Sequence, residues 1–327
     1  MTAIRRLLAA LAALLAAVSL AGCGLGTAGG FTPSGRLAGP LRGLHLDGAN
    51  IAVGSKNFTE QLVLGKMAVI LLKSAGAKVE DYTNIPGSSS ARAAQLQGEV
   101  DMEWEYTGTA WIAYLGHDNG IPDKQKQYEA VRREDLRKND LVWLPPAPMN
   151  NTYGFATTAK TAKRLHLTKL SQIKDLPVKE RTFCVESEFK NRNDGFEPML
   201  KAYGIPLGSG VSGSDVKTLA TGAIYAATDQ GECNFGEVFT TDGRIKALDL
   251  TVLEDDKQFF PKYNVSAVVQ TATLNEHPEL KRIFAKITPL LTNDTMQRLN
   301  ARVDVDGDQP GDVALDWMVS QGLVNRG

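Results

Sequence analysis

Catalytic signatures are missing from this chain. It has no Gly-x-Ser-x-Gly elbow, no His-Glu-x-x-His pair, no Walker loop and no Cys-x-x-Cys. Gly65-Lys66-Met67 lacks the upstream glycine and the hydroxyl that a phosphate-binding loop needs. Histidine is scarce, and His45, His117, His166 and His277 are scattered among polar residues, a poor set for one metal. Asp304-Val305-Asp306-Gly307-Asp308 reads as a turn, because its glycine falls too early for a calcium loop and Leu315 stands where the bidentate glutamate belongs. No cofactor, metal or catalytic residue is therefore expected, and the chain reads as a non-enzyme. Neither sign of charge is in surplus: 36 Lys and Arg stand against 37 Asp and Glu, with no block of like charge. That balance excludes nucleic acid as an expected partner.

Only one run is long and apolar, and it lies at the N-terminus. Arg5 and Arg6 precede Leu7 to Leu20, and Leu20-Ala21-Gly22-Cys23 follows. A short charged region, an apolar stretch of this length and small residues before a cut read as a secretion signal over residues 1–22. The Leu-Ala-Gly-Cys end resembles a bacterial lipobox, which implies that Cys23 becomes the lipidated first residue of the mature chain. The alternative is an ordinary signal cleaved near Ala21. An extracytoplasmic protein, lipid-anchored to the cell membrane, is the expectation. Residues 23–49 have the Gly- and Pro-punctuated composition of a linker.

Cysteine is almost absent. Beyond Cys23 only Cys184 and Cys233 remain, each in a short strand-like run. An even pair in an oxidising compartment predicts a disulfide between neighbouring strands, the alternative being two buried thiols. From residue 50 apolar strands alternate with helices. A capping box at Asn57 and Glu60 is expected to start the first helix. A second alternating block follows Pro145–Pro148, with one helix expected over Val216–Ala227. Three helical stretches, Pro278–Leu291, Asp294–Ala301 and Val313–Gln321, close the chain. This pattern predicts an α/β fold of two domains, each a mostly parallel sheet flanked by helices. Residues 50–151 with 262–327 form the first domain and 152–261 the second. The crossings near Asn151 and Tyr263 would act as a hinge around a cleft, in a chain that works as a monomer.

Aromatic side chains sit where strands meet turns. Tyr106 ends one strand, Tyr153 opens another, Phe239 closes a third and Tyr263 follows Phe259-Phe260-Pro261. Ligands of open α/β sheets gather at such ends, and π-faces gathered there suit a quaternary ammonium, which cannot be hydrogen-bonded. Lys56 and Arg192 occupy comparable loops, so the set would complement a zwitterion.

Several segments resemble the glycine betaine/choline-type substrate-binding proteins of osmoprotectant ABC importers. They are Gly54-Ser55-Lys56-Asn57-Phe58-Thr59-Glu60-Gln61, Glu105-Tyr106-Thr107-Gly108-Thr109 and Asn151-Thr152-Tyr153-Gly154-Phe155-Ala156. Arg192-Asn193-Asp194-Gly195, Thr240-Thr241-Asp242-Gly243-Arg244-Ile245, Phe259-Phe260-Pro261-Lys262-Tyr263 and the stretch from Leu291 to Asn300 belong with them. The resemblance implies a type II-like periplasmic-binding-protein fold and an ABC permease as partner. It implies an ammonium cage of Tyr106, Tyr153 and Tyr263 with Phe239 at the fourth position, where tyrosine is more usual. It also implies that Lys56, Arg192 and Thr109 hold the ligand's carboxylate. Asn151 stands where some relatives carry an aspartate, so Coulomb attraction from that position is lost. Choline would leave Lys56 and Arg192 without an anion, which predicts glycine betaine over choline. A different small polar or aromatic ligand is the alternative; a secreted enzyme on this scaffold would need a nucleophile–base pair.

Overall fold

The computed structural model describes residue 30 and residues 32–327. The leader, Cys23 and the beginning of the 23–49 segment lie outside the described residues. Twelve strands are described: β1 Gly35–Leu37, β2 Asn50–Lys56, β3 Lys78–Ile85, β4 Met102–Tyr106, β5 Leu141–Trp143, β6 Tyr153–Thr158, β7 Phe183–Val185, β8 Val216–Thr218, β9 Phe235–Phe239, β10 Leu250–Val252, β11 Val265–Gln270 and β12 Val324–Arg326. The helices used below are α1 Thr59–Ser74, α2 Ser88–Leu96, α3 Lys124–Asn139, α4 Thr221–Asp229, α5 Asn293–Asp304 and α6 Pro310–Ser320.

Two five-stranded sheets form, in the orders β3-β2-β4-β11-β5 and β10-β6-β9-β7-β8. In the first, β2 is parallel to β3 and β4, while β11 is antiparallel to β4 and β5. In the second, β7 is parallel to β8 and β9, while β6 is antiparallel to β9 and β10. One strand in each sheet therefore runs against the rest, and it is the strand that begins just after the chain crosses between sheets. A strand arriving from the other lobe starts at the cleft and runs away from it, whereas its neighbours run toward it. The carboxyl ends of β4 and β9 thus share an edge with the amino ends of β6 and β11. Tyr106 pairs with Val265, and Tyr153 with Phe239. The crossings hold each other: the Asn151 N–H donates to the Tyr263 carbonyl at 3.1 Å, and the Tyr263 N–H to Asn150 Oδ1 at 2.6 Å.

Each lobe has its own core. In the first, α1 is apolar on nearly every side and lies buried, with Leu64, Met67 and Leu71 in one cluster with Ala314, Leu315 and Met318 of α6. The tail therefore packs on the first sheet. The second core is dominated by phenylalanines, among them Phe155, Phe183, Phe196 and Phe235. Cys184 of β7 and Cys233, just before β9, are joined by a disulfide with Cα atoms 5.8 Å apart.

Three expectations need correction. Residues 35–49 are not a free linker: β1 pairs with β12, and Leu41, Leu44 and Leu46 are buried in the first core. These apolar anchors outweigh the Gly and Pro between them. Ahead of β1, Thr32 Oγ1 donates to Asp81 Oδ2 at 2.7 Å, and the buried Lys66 ammonium reaches the same oxygen at 2.6 Å. Val216–Ala227 is not one helix, since the β-branched Val216 and Thr218 pair with β7 and α4 begins only at Thr221. Nor does Asn57 with Glu60 form a capping box. Phe58 is the extended residue before α1, without a side-chain cap, and Glu60 points into the molecule.

Candidate functional site

A cavity of about 660 Å³ opens between the sheets and is lined from both lobes. Lys56, Tyr106, Thr109, Asn151, Tyr153, Phe239 and Tyr263 all border it. Arg192 does not. The rings form one continuous group. Tyr153 lies 5.3 Å from Phe239 and 5.5 Å from Tyr263, centroid to centroid, the second pair edge to face at 89°. Phe58, not assigned from the sequence, completes the wall: it stacks 6.2 Å from Tyr106 and 5.5 Å from Phe239. It occupies the same strand-to-helix turn as Lys56, so the strand-end argument that picks out the other rings applies to it equally.

Local structure explains the placement. Gly108 follows Tyr106 by two residues, and a Cβ there would lie 2.6 Å from the Tyr263 ring and 2.9 Å from the Lys262 carbonyl oxygen. Only a glycine lets Tyr263 approach this closely. The chain then makes a π-helical turn over Ala110–Tyr114, a rare geometry that concentrates at functional sites. It brings the Tyr114 hydroxyl to donate to Glu105 Oε2 at 2.6 Å.

The positive groups do not stand free. Lys56 Nζ donates to Glu105 Oε1 at 2.7 Å, and both side chains are buried. Arg192 Nε and Nη2 each donate to the Asp194 carboxylate at 2.7 Å, and the guanidinium lies 5.5 Å over the Tyr153 ring. The Tyr263 hydroxyl donates to the same aspartate. Arg192 is thus linked to two rings of the cavity wall, directly to Tyr153 and through Asp194 to Tyr263. The penalty expected against choline assumes two cations without an anion; each already has one, so that argument fails.

Carboxyl groups crowd the site. Glu60 Oε1 accepts from the Tyr106 hydroxyl at 2.7 Å and Asn151 Nδ2 at 2.8 Å; Oε2 accepts from the Thr241 hydroxyl at 2.5 Å and Asn300 Nδ2 at 3.2 Å. Burial raises its pKa against the pull of these bonds. Behind Lys56, Glu103 is fully buried with neither oxygen hydrogen-bonded, and burial, then the neighbouring Glu105, push it up to about 8. At the mouth, Glu188 Oε2 accepts from the Ser88 N–H at 3.2 Å, so a side chain of the second lobe caps α2 of the first. Burial would raise Glu188, but Ser88, Lys56 and Arg192 together hold it below the usual carboxylate range. Arg244, another residue unassigned from the sequence, borders the cavity while paired with Asp242, and it reaches Asp304 of α5 at 3.4 Å.

Two α/β lobes, two linked crossings and an aromatic-lined cleft between them define a two-lobed solute-binding protein. Residues 49–320 match the family described as the substrate-binding domain of ABC-type glycine betaine transport systems, OpuAC, and the chain belongs to that family. This is a transport family of binding proteins, not an enzyme family. A glycine-betaine-binding protein of Pseudomonas aeruginosa is 36% identical over 285 residues, spanning 85% of this chain and 89% of that one. The ergothioneine transport permease/ergothioneine binding protein EgtU of Helicobacter pylori is 30% identical over 275 residues, 84% of this chain but 48% of that protein. A solved glycine betaine/carnitine/choline ABC transporter structure superposes with a TM-score of 0.68 at 29% identity, covering 83% of this chain and 98% of that one. No helix among the described residues is long and apolar enough to cross a membrane.

Proposed function

We propose that this protein is the extracytoplasmic receptor of an ABC importer, binding a quaternary-ammonium solute of the glycine betaine kind and delivering it to the permease. The observation that carries the reading is the convergence of Tyr106, Tyr153, Phe239 and Tyr263, with Phe58, on one cleft. Each π-face is worth about 0.5–2 kcal/mol to a cation, most when water is excluded. Four or five such faces approach the roughly −8 kcal/mol of a micromolar complex, before any contact to the ligand's other end.

That other end falls to Lys56 and Thr109. An ammonium has three donors, and Glu105 takes one, so two remain for a carboxylate. Arg192 orients Tyr153 and, through Asp194, Tyr263, instead of touching the ligand. With both cations already paired, glycine betaine keeps only a small advantage over choline. Residues 50–151 with 262–327 and residues 152–261 are the two bodies that close about the crossings. A signal over 1–22 and a lipid on Cys23 tether the monomer to the membrane.

Calorimetry with glycine betaine and choline tests the reading: micromolar binding of the first supports it, and no heat with either overturns it. A second reading is favoured by the size of the cleft. About 660 Å³ suits a drug-sized ligand and is more than a compact betaine fills. Ergothioneine, named for one relative, carries both a trimethylammonium and an aromatic ring. Binding tighter than that of glycine betaine would favour this larger class.

A further inference from the structure

The cations at the cleft are each balanced by the protein itself; of the carboxylates outside those pairs, Glu60, Glu103 and Glu186 among them, Glu60 is the one that accepts from the hydroxyl of a cavity-wall ring, Tyr106. Lys56 faces Glu105, Arg192 faces Asp194, and Arg244 faces Asp242 and Asp304. Glu60 takes part in no ion pair among the described residues. Its partners are the neutral donors of Tyr106, Asn151, Thr241 and Asn300, drawn from both lobes. It lines a small recess that shares Phe58, Thr59, Asn151 and Phe239 with the main cavity.

We infer that Glu60 is the fixed counter-charge for the ligand's quaternary ammonium, acting across Tyr106 and Asn151. This rests on the proposed betaine-type ligand. A trimethylated nitrogen donates no N–H hydrogen bond, so a carboxylate attracts it through charge alone and need not touch it to act from behind the cage. In a buried site its field is poorly screened. By accepting the hydrogen bond of the phenol hydroxyl, Glu60 also pushes electron density into the Tyr106 ring and strengthens the face offered to the cation. Asn151 joins the carboxylate to the cleft wall, its Nδ2 donating to Glu60 Oε1 at 2.8 Å. Burial opposes ionisation of Glu60 and the four hydrogen bonds favour it; a cation in the cage works with the hydrogen bonds.

The test compares glycine betaine with 3,3-dimethylbutanoate, which keeps the carboxylate and shape but puts uncharged carbon in place of nitrogen. Calorimetry is run on the wild type and Glu60→Gln, with thermal melting without ligand as a check on folding. Betaine affinity is expected to fall about tenfold in the variant, while that of 3,3-dimethylbutanoate holds or rises. Equal losses for both ligands would make Glu60 a structural residue and overturn the inference. Should Glu60→Gln not fold, Tyr106→Phe keeps the ring and removes the coupling hydroxyl; its ratio is expected to shrink in the same direction, and an unchanged ratio overturns the inference. A wild type that binds betaine no better than 3,3-dimethylbutanoate overturns the betaine reading as well. A wild type that prefers betaine, with the preference intact in the variant, overturns the Glu60 inference alone.

Discussion

Phe58→Ala isolates the cage from the rest of the fold. The ring is half-buried, borders the cavity and stacks on Tyr106 and Phe239. It precedes α1 without capping it by a side chain, so truncation removes no cap. One cation–π face contributes about 0.5–2 kcal/mol, and the lost ring contacts loosen two neighbours worth about 0.5–1.5 kcal/mol each. Only part of that loosening is felt on binding, so a loss of about 1–2 kcal/mol is expected. At about 1.4 kcal/mol per decade this weakens glycine betaine roughly 5- to 30-fold. Calorimetry reads the change, and melting without ligand reads stability separately. Phe58→Leu sharpens the result, because it keeps apolar bulk and discards the π-face. If ring electronics matter, leucine binds nearly as badly as alanine. Leucine with wild-type affinity would refute the reasoning, since area alone would then account for the contact.

Two further perturbations address closure and charge. A Cβ on Gly243 would lie 2.5–2.7 Å from the Cβ, Cα and N atoms of Ala301 in α5, a close approach of the second lobe to the first. Gly243→Val is expected to wedge the lobes apart, weakening betaine by about tenfold or more while the ligand-free melting temperature stays close to wild type; unchanged affinity would remove the closure argument. Folded Glu103 holds its proton up to about pH 8, whereas the unfolded chain releases it near 4.5. Between those values the folded state carries the extra proton, so stability falls as pH rises, by at most about 1.4 kcal/mol for each pH step of one. Glu103→Gln mimics the protonated form and should flatten the fall in melting temperature between about pH 6 and 8.5; parallel profiles in the two proteins would contradict this.

Much of the fold is legible in the chain because periodicity is a local property. Elements such as α1 and β11 announce themselves by apolar residues set for complete burial. What escapes is short and non-local. Strands β5, β8, β10 and β12 are three residues each, and a three-residue run becomes a strand only when a distant partner supplies its ladder. β1 and β12 lie at opposite ends of the described chain and define each other. The leucines at 41, 44 and 46 read as linker residues because nothing near them in sequence reveals the core they enter.

The site divides along the same line. A ring at a strand end is visible from sequence, since strand ends and turns are local; by that rule Phe58 is as accessible as Tyr106. Charge pairing is not local. Lys56 and Glu105 are 49 positions apart, and Glu60 gathers donors from positions 106, 151, 241 and 300. In sequence, Glu60 of Asn-x-x-Glu looks like a cap because that is the nearest use for a glutamate there. Three-dimensional pairing reverses the expected electrostatics: the clamp cations are occupied and the carboxylate taken for a cap is unpaired. On the proposed reading, a cleft whose positive groups are already neutralised selects through its aromatic faces and the negative charge behind them, so the quaternary nitrogen, more than the carboxylate, would decide which solute is held.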